Sequence, residues 1–391
     1  MRRQSALAAA LALAFALPAA LGGGMVKQIN SDGFGNPNNI GIVHMEVHAG
    51  RLYAGTWNIV DGCVVYATVN GQDWRPVIEP GFGDANNQAV IRMRSVGEHL
   101  YVGLWNNLTG GQLWRSSSPE AGTGWEAIMK DGFGNPANLA VGSICPFDNL
   151  LYVGMFNPSQ GQEMWRSADG GDPGSFVQSF DKGLGIDGAT DASSLVVWKD
   201  HLYLGTESAQ PPYPGCDVWR TEGPDGSGVE TWTRVGEAGF GDTKSFNAFR
   251  MVEFREHLYV GTWGFGASSF TTHLGLKGTT VWRTRGAGDG PFTDWEQVNE
   301  DGFGNARYDS TLAMEVVGDT LYVAGFGDRG FLFATEDGTT WREIAQDGFL
   351  ETSEFGVHAL QELNGRLYIG IQNWTKPSEL WVLNAATGGS P

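Results

Sequence analysis

Three aromatic–asparagine pairs stand at one repeated position of the sequence, and Trp263 follows at the same position. The pairs are Trp57-Asn58, Trp105-Asn106 and Phe156-Asn157. Aromatic faces stack on the apolar faces of sugar rings, and amide groups hydrogen-bond to hydroxyls. The pattern predicts a protein that binds a polysaccharide or other glycan through several similar weak sites, whose combined avidity is high. The same rings are equally suited to cover the joints between repeats, and this structural interpretation stays open here.

A second repeated position carries basic residues. His44, Arg92 and Arg250 each stand eight residues before a Leu-Tyr pair. Guanidinium and imidazolium groups bind carboxylates and other anions through charge-assisted hydrogen bonds. If the three residues face a common channel, we expect them to form an anion site. The alternative is that they only hydrate a water-filled channel.

A polysaccharide lyase is one catalytic hypothesis for this sequence. It needs a base that removes a proton and a cation that neutralises the uronate carboxylate. His273 or Tyr308 would be the base, and Arg250, Arg307 or Arg329 would be the cation. Several of these residues follow the longest loop of the repeat, which suggests an asymmetric site on that side.

A glycoside hydrolase is the other catalytic hypothesis, and it needs two carboxyl groups about 5 to 10 Å apart. Glu207, Asp191 and Asp309 are the acids available for it. No catalytic signature accompanies either enzyme, so a binding protein is the leading hypothesis. An enzyme with a site near repeats 4 to 6 is the alternative, and a structural or adhesion scaffold is a third.

The residues above belong to a repeat with two constant spacings. A glycine of a G-F-G-like turn precedes each Leu-Tyr pair by 19 residues, and an aromatic residue precedes that glycine by seven, with Val26 in its place in the first copy. The Leu-Tyr pairs begin at Leu52, Leu100, Leu151, Leu202, Leu258, Leu321 and Leu367. Alternating segments such as L-Y-V-G predict short strands, and a period of about 40 to 60 residues is typical of propeller blades.

The repeat predicts an all-β, seven-bladed β-propeller with four-stranded antiparallel blades, whose strands we call A to D from the centre outward. We expect one domain at 25–391, after a signal peptide at 1–24. The last repeat lacks a D strand, and 26–30 is expected to supply it and close the ring. The expected blades are about 38–79, 86–129, 137–179, 189–236, 246–298, 308–346 and 355–384.

Two C-to-D hairpins resemble a shortened Asp-box, which is a hairpin motif of sialidase-type and related secreted propellers. They run from Thr68 to Trp74 and from Thr335 to Trp341. The resemblance covers the hairpins only and implies a structural role for them, so it supports the fold rather than an activity. The repeat as a whole is similar to secreted bacterial propellers.

The D-G-F-G-N turns at 32–36, 131–135 and 301–305 repeat Asp and Asn oxygens, which are calcium ligands. They lack the dense carboxylates of a strong calcium site. No C-x-x-C spacing indicates zinc. We therefore expect no cofactor and no metal, with calcium at these turns as the alternative.

The N-terminus and the charge indicate an exported protein, extracellular or periplasmic. Arg2 and Arg3 precede the apolar run 6–21, as in a secretory signal peptide. The net charge of −19 repels nucleic acid and anionic membranes. Three cysteines cannot form a disulfide framework. We expect a monomer whose partner is a glycan.

Overall fold

The computed structural model describes residues 26–168, 171–265, 275–288, 290–344, 349–350 and 356–384. The regular structure of these residues is β-strand apart from short 3-10 turns, which confirms the all-β prediction. The turns are Asp32–Gly35, Pro80–Gly83, Pro119–Ala121, Lys182–Gly185, Ala238–Gly241 and Asp301–Gly304. No helix in these ranges is long and apolar enough to cross a membrane. The expected signal peptide lies outside the described residues.

The strands, numbered in chain order, pair into four-stranded antiparallel units that we number 1 to 7. The A strands are β2 Gly41–His48, β6 Ala89–Val96, β10 Ala140–Phe147, β14 Asp191–Trp198, β18 Ser245–Phe254, β22 Ser310–Val317 and β26 Gly356–Leu363. The B strands are β3 Arg51–Trp57, β7 His99–Trp105, β11 Leu150–Phe156, β15 His201–Glu207, β19 His257–Gly264, β23 Thr320–Phe326 and β27 Arg366–Gln372.

The C and D strands lie outside them and are shorter. The C strands are β4 Val65–Thr68, β8 Gln112–Ser116, β12 Met164–Ser167, β16 Val218–Thr221, β20 Val281–Thr284, β24 Phe331–Thr335 and β28 Leu380–Asn384. The D strands are β1 Val26–Gln28, β5 Arg75–Pro76, β9 Glu126–Met129, β13 Val177–Phe180, β17 Thr233–Arg234, β21 Glu296–Gln297 and β25 Arg342–Glu343.

The 14 A and B strands of the described residues form one closed antiparallel ring. Each A strand pairs along its length with the B strand of its unit, and the last part of each B strand bridges to the next A strand. The bridging pairs are Trp57↔Ala89, Trp105↔Ala140, Phe156↔Asp191, Glu207↔Asn247, Trp263↔Ser310, Phe326↔Gly356 and Gln372↔Gly41. The bridging B-strand residues therefore stand at the inner joints between units.

Every A strand contains a β-bulge near the ring axis. In β6, for example, the register shifts between Val90 and Arg92, so Ile91 is the extra residue. A bulge inserts one residue and turns the local side chains. The extra residues are Val43, Ile91, Gly142, Ser193, Phe249, Leu312 and His358. Two consecutive side chains of one strand can therefore face the axis.

The D-to-A turns fix the units to one another. In the first turn Gly33 and Phe34 both have positive φ, 58° and 56°, which places the Phe34 ring on Tyr66 at a centroid distance of 4.1 Å. The buried Asn39 donates from Nδ2 to the Gly33 carbonyl at 2.8 Å. Equivalent bonds run from Asn87 to Gly81 and from Asn138 to Gly132.

The two ends of the described chain pair with each other. β1 lies antiparallel to β28, with Val26 opposite Leu383 and Gln28 opposite Trp381. Beyond β1, Ile29 N donates to the Leu380 carbonyl at 2.8 Å. The observed strand is two residues shorter than the expected segment 26–30, and β28 is not left as an open sheet edge.

Candidate functional site

The last residues of the B strands, with Trp263 at the equivalent position in unit 5, converge on one cavity at one mouth of the ring. Because each of them bridges two units at the inner edge, its side chain reaches the axis. The cavity, which we call the axial cavity, has a volume of about 460 Å³. The converging residues that line it are Trp57, Trp105, Phe156, Glu207, Trp263, Phe326 and Gln372.

Aromatic rings form a continuous wall on the side of units 7, 1, 2 and 3. The ring centroids of Trp57 and Trp105 lie 6.4 Å apart, and those of Trp105 and Phe156 lie 5.3 Å apart. Trp374, in the B-to-C loop of unit 7, extends the wall with its ring 5.7 Å from Trp57. A flat ligand with an apolar face can stack here.

A second aromatic group closes the side of units 5 and 6. The Trp263 ring lies 5.4 Å from Phe246 and 5.2 Å from Phe326, measured between centroids. Phe246 in turn stacks on Phe265 at 4.8 Å, and Phe265 contacts Tyr213 at 5.6 Å. The loops of units 4 and 5 thus support this wall from behind.

Arg92 forms much of the cavity floor because its side chain crosses the channel. It starts in unit 2, and its Nε donates to the Gly142 carbonyl of unit 3 at 2.6 Å. Its Nη2 donates to the Ser193 carbonyl of unit 4 at 2.7 Å. Burial lowers the pKa of Arg92 to about 10, so the group stays protonated at neutral pH. The Arg92 guanidinium thus places a fixed positive charge in the channel.

Arg250 and His358 complete the floor. Arg250 Nη1 donates to the Phe249 carbonyl at 3.0 Å, and its guanidinium lies 4.4 Å from that ring's centroid. Burial, with the charges of Arg250 and Arg92, lowers the pKa of His358 to about 3, so the imidazole is neutral. Arg92, Arg250 and His358 line both the axial cavity and a lower cavity of about 170 Å³.

His44 lies below this floor. It lines the lower cavity, and the backbone N–H of Met93 donates to its Nδ1 at 3.3 Å. Burial and the nearby arginines hold its pKa well below the usual value, so it carries no charge at neutral pH. The three residues expected to bind an anion together thus all line the lower cavity, and Arg92 and Arg250, but not His44, also line the axial cavity.

Asp191 and Glu207 form a carboxyl pair at the edge of the floor. They are cross-strand partners, and both line the axial cavity. Burial raises the pKa of Asp191 to about 6, although Ser193 donates to it and Arg92 and Arg250 attract its charge. Burial and the negative charge of Asp191 raise the pKa of Glu207 to about 7. Thr190 Oγ1 and Asn247 Nδ2 each donate to Glu207 at 2.7 Å.

The asparagines of the aromatic–asparagine pairs lie behind the wall. Asn58, Asn106 and Asn157 are fully buried. Each donates from Nδ2 to the asparagine of a D-to-A turn at 2.8 to 3.0 Å, and each accepts backbone N–H groups of its own B-to-C loop at Oδ1. They therefore shape the loops and do not present amides to a ligand in the cavity.

The other candidate catalytic residues lie away from the axial cavity. Tyr308 is buried against Phe331 at 4.9 Å, with the Arg329 guanidinium 5.4 Å from its ring. Asp309 is fully buried and does not line the cavity. Arg307 is likewise not a lining residue, and His273 lies outside the described residues. Glu207, Asp191 and Arg250 are the catalytic candidates that the structure brings together.

Metal ligands do not cluster in the described part of the chain: no group of three His, Cys, Asp or Glu side chains is placed to hold an ion. At the turn 301–305, Asp301 accepts from Lys277 at 2.9 Å and from Gln297 at 3.0 Å. The carboxylate of this turn thus already accepts hydrogen bonds from two protein side chains. The cysteines Cys63, Cys145 and Cys216 are free and buried.

Several residues that line the axial cavity are not singled out by the sequence patterns, among them Phe246, Phe249, His358 and Trp374. Phe249 and His358 are the extra residues of A-strand bulges, and the constant count of eight residues before Leu-Tyr points to their neighbours instead. Phe246 precedes the position that pairs with the previous B strand, and Trp374 stands in a loop of variable length. Phe249 and His358 both stand nine residues before a Leu-Tyr pair, so that constant offset could have identified their position, whereas no such offset singles out Phe246 or Trp374.

Comparisons with known proteins show the fold. No protein-family model matches the chain, and no curated protein matches it. The WD40 β-propeller domain of Doa1 superposes with a TM-score of 0.54 at 8% identity, covering 92% of this chain and 97% of that chain. An ancestral GH74 enzyme superposes with 0.55 at 15% identity, covering 92% and 49%. Polysaccharide lyase Uly1 superposes with 0.50 at 12% identity, covering 92% of each.

All these identities are low, so the likeness is one of fold alone. The chain spans about half the length of several of the proteins that it resembles. The closed ring of antiparallel strands and these neighbours agree with each other: the chain is an all-β protein with a β-propeller fold.

Proposed function

We propose that this chain is a secreted, seven-bladed β-propeller closed by its N-terminal strand, and that it binds a glycan in the axial cavity. The observation that carries the proposal is the convergence of Trp57, Trp105, Phe156 and Trp263 on that single cavity. Carbohydrate-active enzymes among the structural neighbours agree with this proposal. No cofactor or metal and no nucleic acid or membrane is part of it.

The geometry supports one site rather than several separate weak ones. Trp57, Trp105 and Phe156 belong to successive units, yet their rings are near enough to contact a single ligand. The indole and phenyl faces would stack on apolar sugar faces. Arg250 at the floor would donate to a hydroxyl or a carboxylate of the same sugar. Multivalency is therefore not needed for tight binding.

Retention on immobilised polygalacturonate, alginate, amylose and xylan tests the proposal. We expect the wild-type chain to be retained by at least one of them, and Trp105→Ala to weaken that binding about tenfold, since one aromatic contact is worth about 1 to 1.5 kcal/mol. Trp105→Phe is the matched control, because it keeps a ring and should keep most of the affinity. Equal binding by wild type and Trp105→Ala, with equal melting temperatures, would refute the proposed site.

A glycoside hydrolase is the second candidate, favoured by the pair of Asp191 and Glu207. A protonated Glu207 would act as the acid, and an ionised Asp191 as the base or nucleophile. The assay is the release of new reducing ends from the same four glycans. Turnover by the wild type that is lost in Glu207→Gln would support this candidate. Binding without turnover would leave the binding function alone. Of the two candidate bases of the lyase hypothesis, Tyr308 does not line this cavity, and His273 lies outside the described residues.

A further inference from the structure

The axial cavity is open at the mouth of the ring and closed at the bottom. Arg92 spans from unit 2 to the carbonyls of Gly142 and Ser193 in units 3 and 4. Its guanidinium also lies 5.7 Å from the Phe249 ring of unit 5. His358 fills the side of unit 7, with its ring 6.0 Å from Phe326. Side chains of units 2, 5 and 7, together with backbone carbonyls of units 3 and 4, thus close the channel.

We infer that the cavity binds the end of a glycan chain and not an internal segment, an inference that rests on the proposed glycan-binding function. A closed floor admits a chain from the mouth only, so the terminal sugar must lie deepest. An internal sugar carries a neighbour on both sides and would need a groove open at two ends. The ring of joint residues around the cavity offers a pocket instead.

The remaining sugars leave the cavity over units 7, 1 and 2. The B-to-C loops of these units carry large apolar side chains that are more than half exposed: Trp374, Ile59, Val60 and Leu108. The Trp374 ring lies 5.7 Å from that of Trp57. Ile59, Val60 and Leu108 follow the wall residues Trp57 and Trp105 by two or three positions in the chain, and we call these four exposed side chains the rim. An apolar rim continuous with a stacking wall suits the apolar faces of successive sugars.

The rim is held in place by the buried asparagines. Asn58 Oδ1 accepts the backbone N–H of Val60 at 3.0 Å, and Asn106 Oδ1 accepts that of Leu108 at 2.9 Å. These bonds fix the loop tips next to the cavity. Asn58 and Asn106 therefore act as positioning residues for the ligand path, although they do not touch the cavity.

Units 4 and 5 do not offer an equivalent path in their described part. Phe265 is buried between Phe246 and Tyr213, so the loops there pack inward as a wall. Leu276 is the large apolar residue that stays exposed on the described part of the unit 5 loop. It provides a matched control on the far side of the cavity.

Chain ends can be varied while the sugar is kept constant. Each of the four glycans that retains the protein is cut into fractions of different mean length, and the moles of protein bound per gram at saturation are measured. Halving the length doubles the number of ends, so we expect the capacity to double. A capacity that does not depend on length would overturn end-on binding while the proposed function stands. If no glycan retains the protein, the proposed function fails, and this inference falls with it.

The direction in which the glycan leaves the cavity is tested with Leu108→Ser and Leu276→Ser. Calorimetric titrations use the monosaccharide and the hexasaccharide of a glycan that retains the protein. We expect Leu108→Ser to weaken hexasaccharide binding about fivefold through loss of apolar contact, and to leave monosaccharide binding unchanged. Leu276→Ser should change neither. Both sites are exposed, so both variants should melt like the wild type. Equal losses for both sugars, or a loss with Leu276→Ser alone, would contradict the path over units 7, 1 and 2.

Discussion

Replacing Glu207 by Gln should change how stability depends on pH. The protonated carboxyl of Glu207 would donate to Thr190 Oγ1 and accept from Asn247 Nδ2, and a glutamine amide makes the same two bonds once the threonine hydroxyl rotates. The variant therefore copies the size and the two hydrogen bonds of the neutral carboxyl. It removes only the ability to ionise.

The direction in which stability changes with pH follows from the raised pKa of Glu207. Burial and the negative charge of Asp191 raise the pKa of Glu207 to about 7 in the folded chain, from its ordinary value of 4.5. The folded state then holds a proton that the unfolded state has released, so stability is lost as pH rises through this range. Between about pH 5 and about pH 8 this group alone costs the wild type about 2 to 3 kcal/mol. Glu207→Gln should not show that loss.

Urea denaturation at the two pH values measures the difference. We expect the variant to gain about 2 to 3 kcal/mol relative to the wild type on going from the lower to the higher pH. Glu98→Gln, at an exposed turn of unit 2, is the control and should follow the wild type. If Glu207→Gln and the wild type show parallel pH profiles, Glu207 ionises normally in the folded chain. The account of the carboxyl pair would then be wrong.

Two further outcomes test the architecture. Deletion of residues 25–31 removes β1, leaves β28 with an open edge and should lower the melting temperature sharply; an unchanged melt would refute closure by this strand. Asn106→Ala removes two hydrogen bonds from backbone N–H groups at 2.9 Å and the bond to Asn87. We expect it to lower the free energy of unfolding by about 2 to 3 kcal/mol, measured by denaturant unfolding. The exposed neighbour variant Asn107→Ala should cost almost nothing, and equal costs for both would contradict the capping role.

The sequence by itself determined the strand order and the position of the wall. The 19-residue spacing from the turn glycine to Leu-Tyr places the start of strand B. The residue five positions after that leucine meets the next unit at every joint. Trp57, Trp105 and Phe156 could thus be recognised as equivalent. That the N-terminal segment pairs with the last unit also followed from a constant spacing, since Val26 keeps the seven-residue offset.

Only the tertiary structure decided how these positions combine. Sequence equivalence could mean separate sites or one, and the closed ring brings the joints together around a single axis. The bulge in each A strand then adds a second inward side chain, so His358 and Phe249 face the cavity beside residues that the spacing could identify. The direction of Asn58 and Asn106 was likewise set by partners 19 residues earlier in the chain, Asn39 and Asn87. Spacing along a chain records which residues are equivalent, but contacts across the ring determine which way each side chain points.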